Sequence, residues 1–202
     1  MEVVSIILLA LGAFLLGACP FSVIVGRLFL RKDIRTYGDG NPGAANVFRA
    51  GGTKIGYLAV LLDIAKGVPF VLLAHLTFEL SNMAVVLIGL CAVLGHAFSP
   101  FLGFRGGKAI SVTFGVLIAM PQHEALFAFA VLVIIAALMI EKDSWGMVFA
   151  ALATLAFLVI TGQSSWELIL MLCILVLFTV KQFNELRTVP GLRGRLVRWL
   201  SR

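Results

Sequence analysis

Long apolar runs, most of them roughly the length of a bilayer crossing and nearly free of charge, constrain this chain more than any motif does. They lie at Val3–Leu30, Ile55–Phe78, Met83–Leu102, Ile110–Met120, Ala125–Ile140, Trp145–Ile160 and Leu168–Phe183. With a mean hydropathy of +1.07 and 13% charged residues over 202 positions, a water-soluble domain has too little interior to hide this surface, whereas a bilayer accepts it as solvent. A transmembrane barrel needs alternating segments of ~10 residues, and these runs do not alternate and all but the fourth are longer. The expected class is therefore all-α, a polytopic membrane protein of about seven transmembrane helices. The fourth run is too short to cross a core of ~30 Å unaided. No polar linker divides the chain, so a single domain over 1–202 is expected, with 185–202 as a basic tail.

Charge placement suggests an orientation. The connections Glu79–Asn82, Pro121–Glu124 and Thr161–Glu167 carry no Lys or Arg, while the opposite set holds Arg31, Lys32, Arg35, Arg49, Lys54, Arg105, Lys108, Lys142 and the arginine-rich tail. The positive-inside rule places that set in the cytoplasm and the N-terminus outside. The opening "MEVVSIILLALGAFLLG" lacks a basic n-region, so it reads as a retained helix rather than a cleaved signal. In the tail, Leu192, Leu196, Trp199 and Leu200 share one helical face beside arginines, the pattern of a helix lying on anionic headgroups. No reader motif accompanies it, and no nucleic-acid partner is expected. Cys19, Cys91 and Cys173 sit inside apolar runs without metal-ligand spacing and read as packing residues.

Two polar segments interrupt this pattern on the cytoplasmic side. "YGDGNPGAANVFR", Tyr37–Arg49, combines Gly40, Gly43, Asn41 and Asn46 with an arginine. Glycines let backbone N–H groups converge on an anion, and a guanidinium matches phosphate or carboxylate. A flexible inter-helix turn is the alternative, but connections elsewhere in the chain are far shorter. "FLGFRGGKAIS", Phe101–Ser111, places Gly106 and Gly107 before Lys108 at the start of a helix, where the dipole favours an anion. It departs from a Walker A loop at Leu102 and Ala109.

Asp63 and Lys66, three apart on one helical face, read equally as a structural ion pair or as part of a site. His96, ending the third apolar run beside "GFRGGK", reads as a supporting or a capping residue. None of the three histidines has an aspartate five positions later, and paired-histidine metal sites, Gly-x-Ser-x-Gly elbows and useful Cys–His pairs are missing. A covalent nucleophile, a metal or another cofactor is not expected.

"RTYGDGNPGAANVFRAGG", "LDIAKG", "LGHAFSPFLGFRGGK" and "KQFNELR", in this order and spacing, resemble the acyl-phosphate–glycerol-3-phosphate acyltransferase family (PlsY-type), over nearly the whole chain from Gly17 to Arg187. The resemblance implies a bacterial inner-membrane enzyme with a cytoplasm-facing site. It would move a fatty acyl group from acyl phosphate to the 1-hydroxyl of glycerol 3-phosphate, giving lysophosphatidic acid and phosphate. It also implies Arg49 and Lys108 as phosphate clamps, Asn46 as an orienting residue, Gly106 and Gly107 as lining of the glycerol-phosphate nest, Ser144 as a polar contact, and Asn184 as the third motif's asparagine. Membrane lipid is the expected surrounding, and the oligomeric state is open.

The chain departs from the pattern at several positions. Asp39 stands for a serine, Ala45 for a threonine, Ala109 for a glycine, Val112 for a threonine and Lys181 for a histidine. An ionised Asp39 repels phosphate, yet Ser to Asp and His to Lys together leave local charge unchanged. Asp39 and Lys181 are therefore expected to pair. Competing readings are a catalytically altered paralogue with another acceptor, favoured by Asp39 and Lys181, and a small-anion transporter, favoured by Asp63/Lys66.

Overall fold

A computed structural model of the chain describes residues 2–191. The tail from Leu192 onward, read above as an interfacial helix, lies outside the described residues. Among the described residues all regular elements are helical. Four stretches of the described residues are long and apolar enough to cross a membrane: Glu2–Leu30, Thr53–Thr77, Asn82–Leu102 and Asp143–Ile160. The apolar helices Ile110–Ala119 and Glu124–Met139 are shorter. At ~1.5 Å per residue the former reaches only about half of a ~30 Å core.

The chain forms two compact units, Met1–Pro121 and Gln122–Arg202, where the sequence suggested one domain. In the first, the opening apolar run is two helices, α1 (Glu2–Ala18) and α2 (Phe21–Leu30). Proline lacks an N–H and fixes its φ, so Pro20 breaks the run and strands the carbonyls that end α1. Buried donors from elsewhere in the unit take them up. The Ser99 hydroxyl donates to Ala18 O at 2.6 Å, and the Lys66 ammonium donates to Cys19 O at 2.8 Å.

The remaining helices of this unit are α3 (Ala44–Arg49), α4 (Thr53–Ala65), α5 (Pro69–Leu72), α6 (Asn82–Ala97) and α7 (Ile110–Ala119). Pro69 at the first position of α5 interrupts the second apolar run, which ends in a π-helical turn over Leu73–Thr77. α1 packs along α6 with backbones almost in contact. A Cβ at Gly17 would lie 2.2 Å from Ala92 O, and one at Gly95 2.1 Å from Phe14 O. Small residues at such a crossing allow the close approach that lipid-embedded helices rely on. α4 packs against α2, α3 and α7. Beneath the first glycine loop, Val23, Val25, Ile34, Val47 and Ala59 form a buried apolar floor.

The second unit contains α8 (Glu124–Met139), α9 (Asp143–Ile160), α10 (Ser165–Lys181) and α11 (Phe183–Leu186). Glu124, Asp143 and Glu167 stand in the first turns of α8, α9 and α10, where a carboxylate complements the helix dipole. α9 packs against α8 and α10. The stretch after α11 is tied back to the start of α9: the Trp145 indole donates to Thr188 O at 2.8 Å, Lys142 Nζ to Thr188 Oγ1 at 2.6 Å, and Glu141 N to Gly191 O at 2.9 Å.

Candidate active site

The two glycine–basic loops converge within the first unit, and the first begins at a clamp. The Asp33 side chain accepts from the backbone N–H of Arg35 and caps the 3₁₀ turn Ile34–Thr36. It also takes a bidentate pair from the Arg35 guanidinium at 2.9 and 2.6 Å and a third bond from Arg27 at 3.2 Å. These contacts, with the Arg35 side chain foremost, hold the Asp33 carboxyl well below the usual carboxylate range. Lys32 Nζ donates to Ala50 O at 2.7 Å, fastening the loop's start to the end of α3.

Beyond this clamp the backbone turns through Gly38 and Gly40, at φ +56° and +73°, a region that costs L-residues about 1–2 kcal/mol. Gly38 also leaves no room for a side chain. Its Cβ would come within 2.5 Å of Asn46 Oδ1 and 2.7 Å of Arg49 Cδ. The turn aims Asp39 at the cations. Its carboxylate lies 2.8 Å from Lys108 Nζ and 3.6 Å from Arg49 Nη1. It accepts from Asn41 N at 3.2 Å and Asn46 Nδ2 at 3.0 Å. Burial pushes this carboxyl up, but Lys108, Asn41 N–H and the Asn46 amide outweigh it and leave it below its ordinary range.

Buried Asn46 is the organiser. Its amide N–H group also donates to Asn41 O at 2.8 Å, and its carbonyl accepts from Arg49 Nη1 at 2.8 Å. Arg49 thus leaves α3 in a fixed direction with a half-exposed side chain. Gly43 is the extended residue before α3.

In the second loop Gly106 and Gly107 are buried against His96. A Cβ at Gly106 would sit 2.0 Å from His96 O, and one at Gly107 2.2 Å from His96 Nε2. The Gly107 N–H donates to His96 O at 3.0 Å, so this donor, expected to face an anion, is spent on α6. The glycine pair supplies close approach, and His96 is the wall that positions the loop. Ala109, where the family pattern has glycine, adopts φ +64°, the conformation for which glycine is suited.

Behind the loops, Asp63 and Lys66 pair at 2.7 Å with both side chains almost fully buried. Asp63 also accepts from the Ser22 hydroxyl at 2.5 Å. A void of about 10 Å³ touches Asp63, Lys66, His96 and Gly107, close to the room one water needs. A cavity of about 450 Å³ is lined by Arg35, Gly40 and Pro42 of the first loop and by Leu102 and Arg105 of the second. Arg105, Ser22 and Ser99 were not singled out from the sequence. Arg105 stands in a motif that was recognised, whereas an apolar run gives no sign that a serine within it will meet a stranded carbonyl.

Two cations and oriented amides are the groups that phosphate recognition uses. Comparison with known proteins bears on which phosphate. A family model described as glycerol-3-phosphate acyltransferase matches residues 7–189. The chain belongs to this family. A relative named glycerol-3-phosphate acyltransferase from Listeria welshimeri is 37% identical over 179 residues, 88% of each chain. A crystal structure of PlsY (YgiH), an integral membrane glycerol 3-phosphate acyltransferase in its glycerol 3-phosphate form, superposes with a TM-score of 0.79 at 32% identity over 91% of this chain and 90% of that one. Its lysophosphatidic acid form superposes with a TM-score of 0.77 at 31% identity over the same shares. The protein is therefore an integral membrane acyltransferase.

Of the residues named from the sequence, Asp39, Gly40, Asn41, Gly43, Asn46, Arg49, His96, Gly106, Gly107 and Lys108 lie in the two loops or against them. Ser144, Lys181 and Asn184 belong to the second unit. There the Ser144 hydroxyl donates to Glu185 Oε2, Asn184 is exposed, and Lys181 ends α10. The neutralisation of Asp39 expected from Lys181 is already supplied by Lys108 and Arg49.

Proposed function

We propose that the protein transfers a fatty acyl group from acyl phosphate to the 1-hydroxyl of glycerol 3-phosphate, at the cytoplasmic face of a bacterial inner membrane. The observation that carries this reading is the convergence of Arg49 and Lys108 on the Asp39 carboxylate, one residue from Gly40 in the wall of a cavity of about 450 Å³, a volume within the ordinary range for small-ligand sites. In the reaction the glycerol hydroxyl oxygen attacks the acyl carbonyl. The ester C–O bond forms, the acyl–phosphate C–O bond breaks, and the hydroxyl proton ends on the released phosphate.

Acyl phosphate is already activated, so the protein's part is to place two anions together and offset charge as it develops. Lys108 and Arg49 serve phosphate oxygens, Asn46 fixes Arg49, and His96 sets the Gly106–Gly107 backbone. Asn41, Gly40 and Gly43 shape the first loop. The roles carried over for Ser144, Lys181 and Asn184 belong to the same proposal. So do the reading of 1–202 as one acyltransferase domain and that of seven spans with the N-terminus outside.

The test is formation of lysophosphatidic acid by the purified protein in proteoliposomes from labelled glycerol 3-phosphate and palmitoyl phosphate. Product is expected with both substrates and not with either alone. Folded protein that gives none contradicts the assignment. For orientation, a cysteine at Thr36 is expected to resist an impermeant thiol reagent in intact cells and to react after lysis; labelling in intact cells reverses the topology.

A further inference from the structure

The anion position between the two loops is filled by the protein itself. The Asp39 carboxylate takes the Lys108 ammonium at 2.8 Å, the Arg49 guanidinium at 3.6 Å, the Asn41 N–H at 3.2 Å and the Asn46 amide at 3.0 Å. A phosphate oxygen bound there would draw on the same set: two cations, one backbone N–H and one side-chain amide. We infer that Asp39 is an internal anion occupying the phosphate position, and that an entering substrate phosphate displaces it, so that this residue sets the affinity for the anionic substrate. The inference rests on the acyltransferase reading for the identity of the substrate, but the competition itself concerns any phosphate.

Three further features fit displacement better than permanent bracing. Asp39 is flanked by Gly38 and Gly40, both in the left-handed region, so the short segment carrying the carboxylate has torsional freedom denied to other residues. A side chain at Gly40 would meet only Arg35 O, at 3.5 Å, so the backbone that follows the carboxylate is not close-packed. The Asp39 side chain is also about one-third exposed and that of Arg49 nearly half, whereas a pair committed to the fold, Asp63–Lys66, is almost fully buried. Finally, the serine expected at this position from the family pattern is neutral. Asp39 thus marks a departure in the charge of the nest and not only in its shape.

The experiment measures binding of inorganic phosphate to the full-length protein in nanodiscs, by calorimetry, for wild type, Asp39→Asn and Asp39→Ser. Kinetics with glycerol 3-phosphate and palmitoyl phosphate run in parallel, and thermal unfolding controls for folding. Freeing the cations is expected to lower the Kd for phosphate in both variants on the order of ten-fold, about 1.4 kcal/mol. KM for glycerol 3-phosphate should fall by a similar factor, with kcat changing much less. Asp39→Asn keeps the shape and Asp39→Ser restores the family residue, so loss of folding in one leaves the other to decide. A phosphate Kd that is unchanged or higher in a folded variant overturns the inference, because a merely bracing carboxylate would not compete with the ligand. Should no form of the protein make lysophosphatidic acid while phosphate binding still tightens, the acyltransferase reading fails and the internal anion stands.

Discussion

Lys66→Met is the most informative single perturbation of the fold, since the sequence left Asp63/Lys66 equally readable as bundle ion pair or site. The Lys66 ammonium meets Asp63 at 2.7 Å and Cys19 O at 2.8 Å. Its removal strands a carboxylate that keeps only the Ser22 hydroxyl in a membrane interior. Breaking one side of a buried pair costs about 3–5 kcal/mol, and Asp63→Leu should cost a comparable amount for the ammonium left behind. The double change Asp63→Leu/Lys66→Met removes both charges. What remains is a Ser22 hydroxyl without its acceptor, at about 1–3 kcal/mol, and a Cys19 carbonyl that still receives the Phe21 N–H at 3.0 Å. The double variant should therefore be more stable than the sum of the singles by about 2 kcal/mol or more, far above the ~0.5 kcal/mol scatter of independent sites. Reversible unfolding in mixed micelles with increasing denaturing detergent gives all corners of the cycle. Single losses below about 1 kcal/mol, the exposed-pair range, and simple additivity would refute the reasoning. They would mean that the pair is hydrated and does not lock the α1–α2 break.

Gly107→Ala, which drives a methyl to 2.2 Å from His96 Nε2, should shift the Lys108 loop and cut turnover on the order of 10²-fold, the loss expected from an ångström of misplacement; unchanged kcat/KM would show that the ring yields freely. Gly106→Ala meets backbone at His96 O, 2.0 Å away, and is expected to lose 3 kcal/mol or about that or to fail in expression; wild-type stability would contradict the packing. Ala109→Gly should be almost neutral in thermal unfolding. Relief of about 1–2 kcal/mol of left-handed strain is offset by about 0.8 kcal/mol for a buried methyl and about 0.4–1 kcal/mol of unfolded-chain entropy; a shift beyond about 1 kcal/mol either way would break that balance. Asp33 has a depressed folded pKa, so its stabilisation is complete above its unfolded value, near ~4, and is lost as pH falls through the folded value. The stability gap between wild type and Asp33→Asn should accordingly narrow from pH ~6 to ~3, and a constant gap would show that the clamp is not electrostatic.

Much of this architecture is written in local patterning. Runs free of charge fold as helices because a bilayer leaves backbone groups no other partner, and the polar loops stand out because their residue types serve no packing purpose. Arg49, Asn46 and Lys108 were legible for that reason. Pro20 was visible as a residue but not as the break whose stranded carbonyls recruit Ser99 and Lys66, since those partners come from distant segments. The pairing of Asp39 was also a long-range fact. Charge conservation pointed to Lys181, whereas the fold brings Lys108 of the second loop to the same carboxylate. Gly106 and Gly107 looked like anion donors, and the contact with His96 that uses one of their N–H groups appears only when α6 is placed beside them.

The central claim is that Arg49 and Lys108 form one phosphate-handling site. It is tested most directly by glycerol-3-phosphate-dependent release of phosphate from palmitoyl phosphate, comparing wild type with folded Arg49→Ala and Lys108→Ala proteins. The account predicts robust release by the wild type, a loss of about 10²-fold or more in each variant, and a double variant little worse than either single because the two cations act on one anion. Release that persists in both variants, or a wild type that releases phosphate without regard to glycerol 3-phosphate, would contradict it.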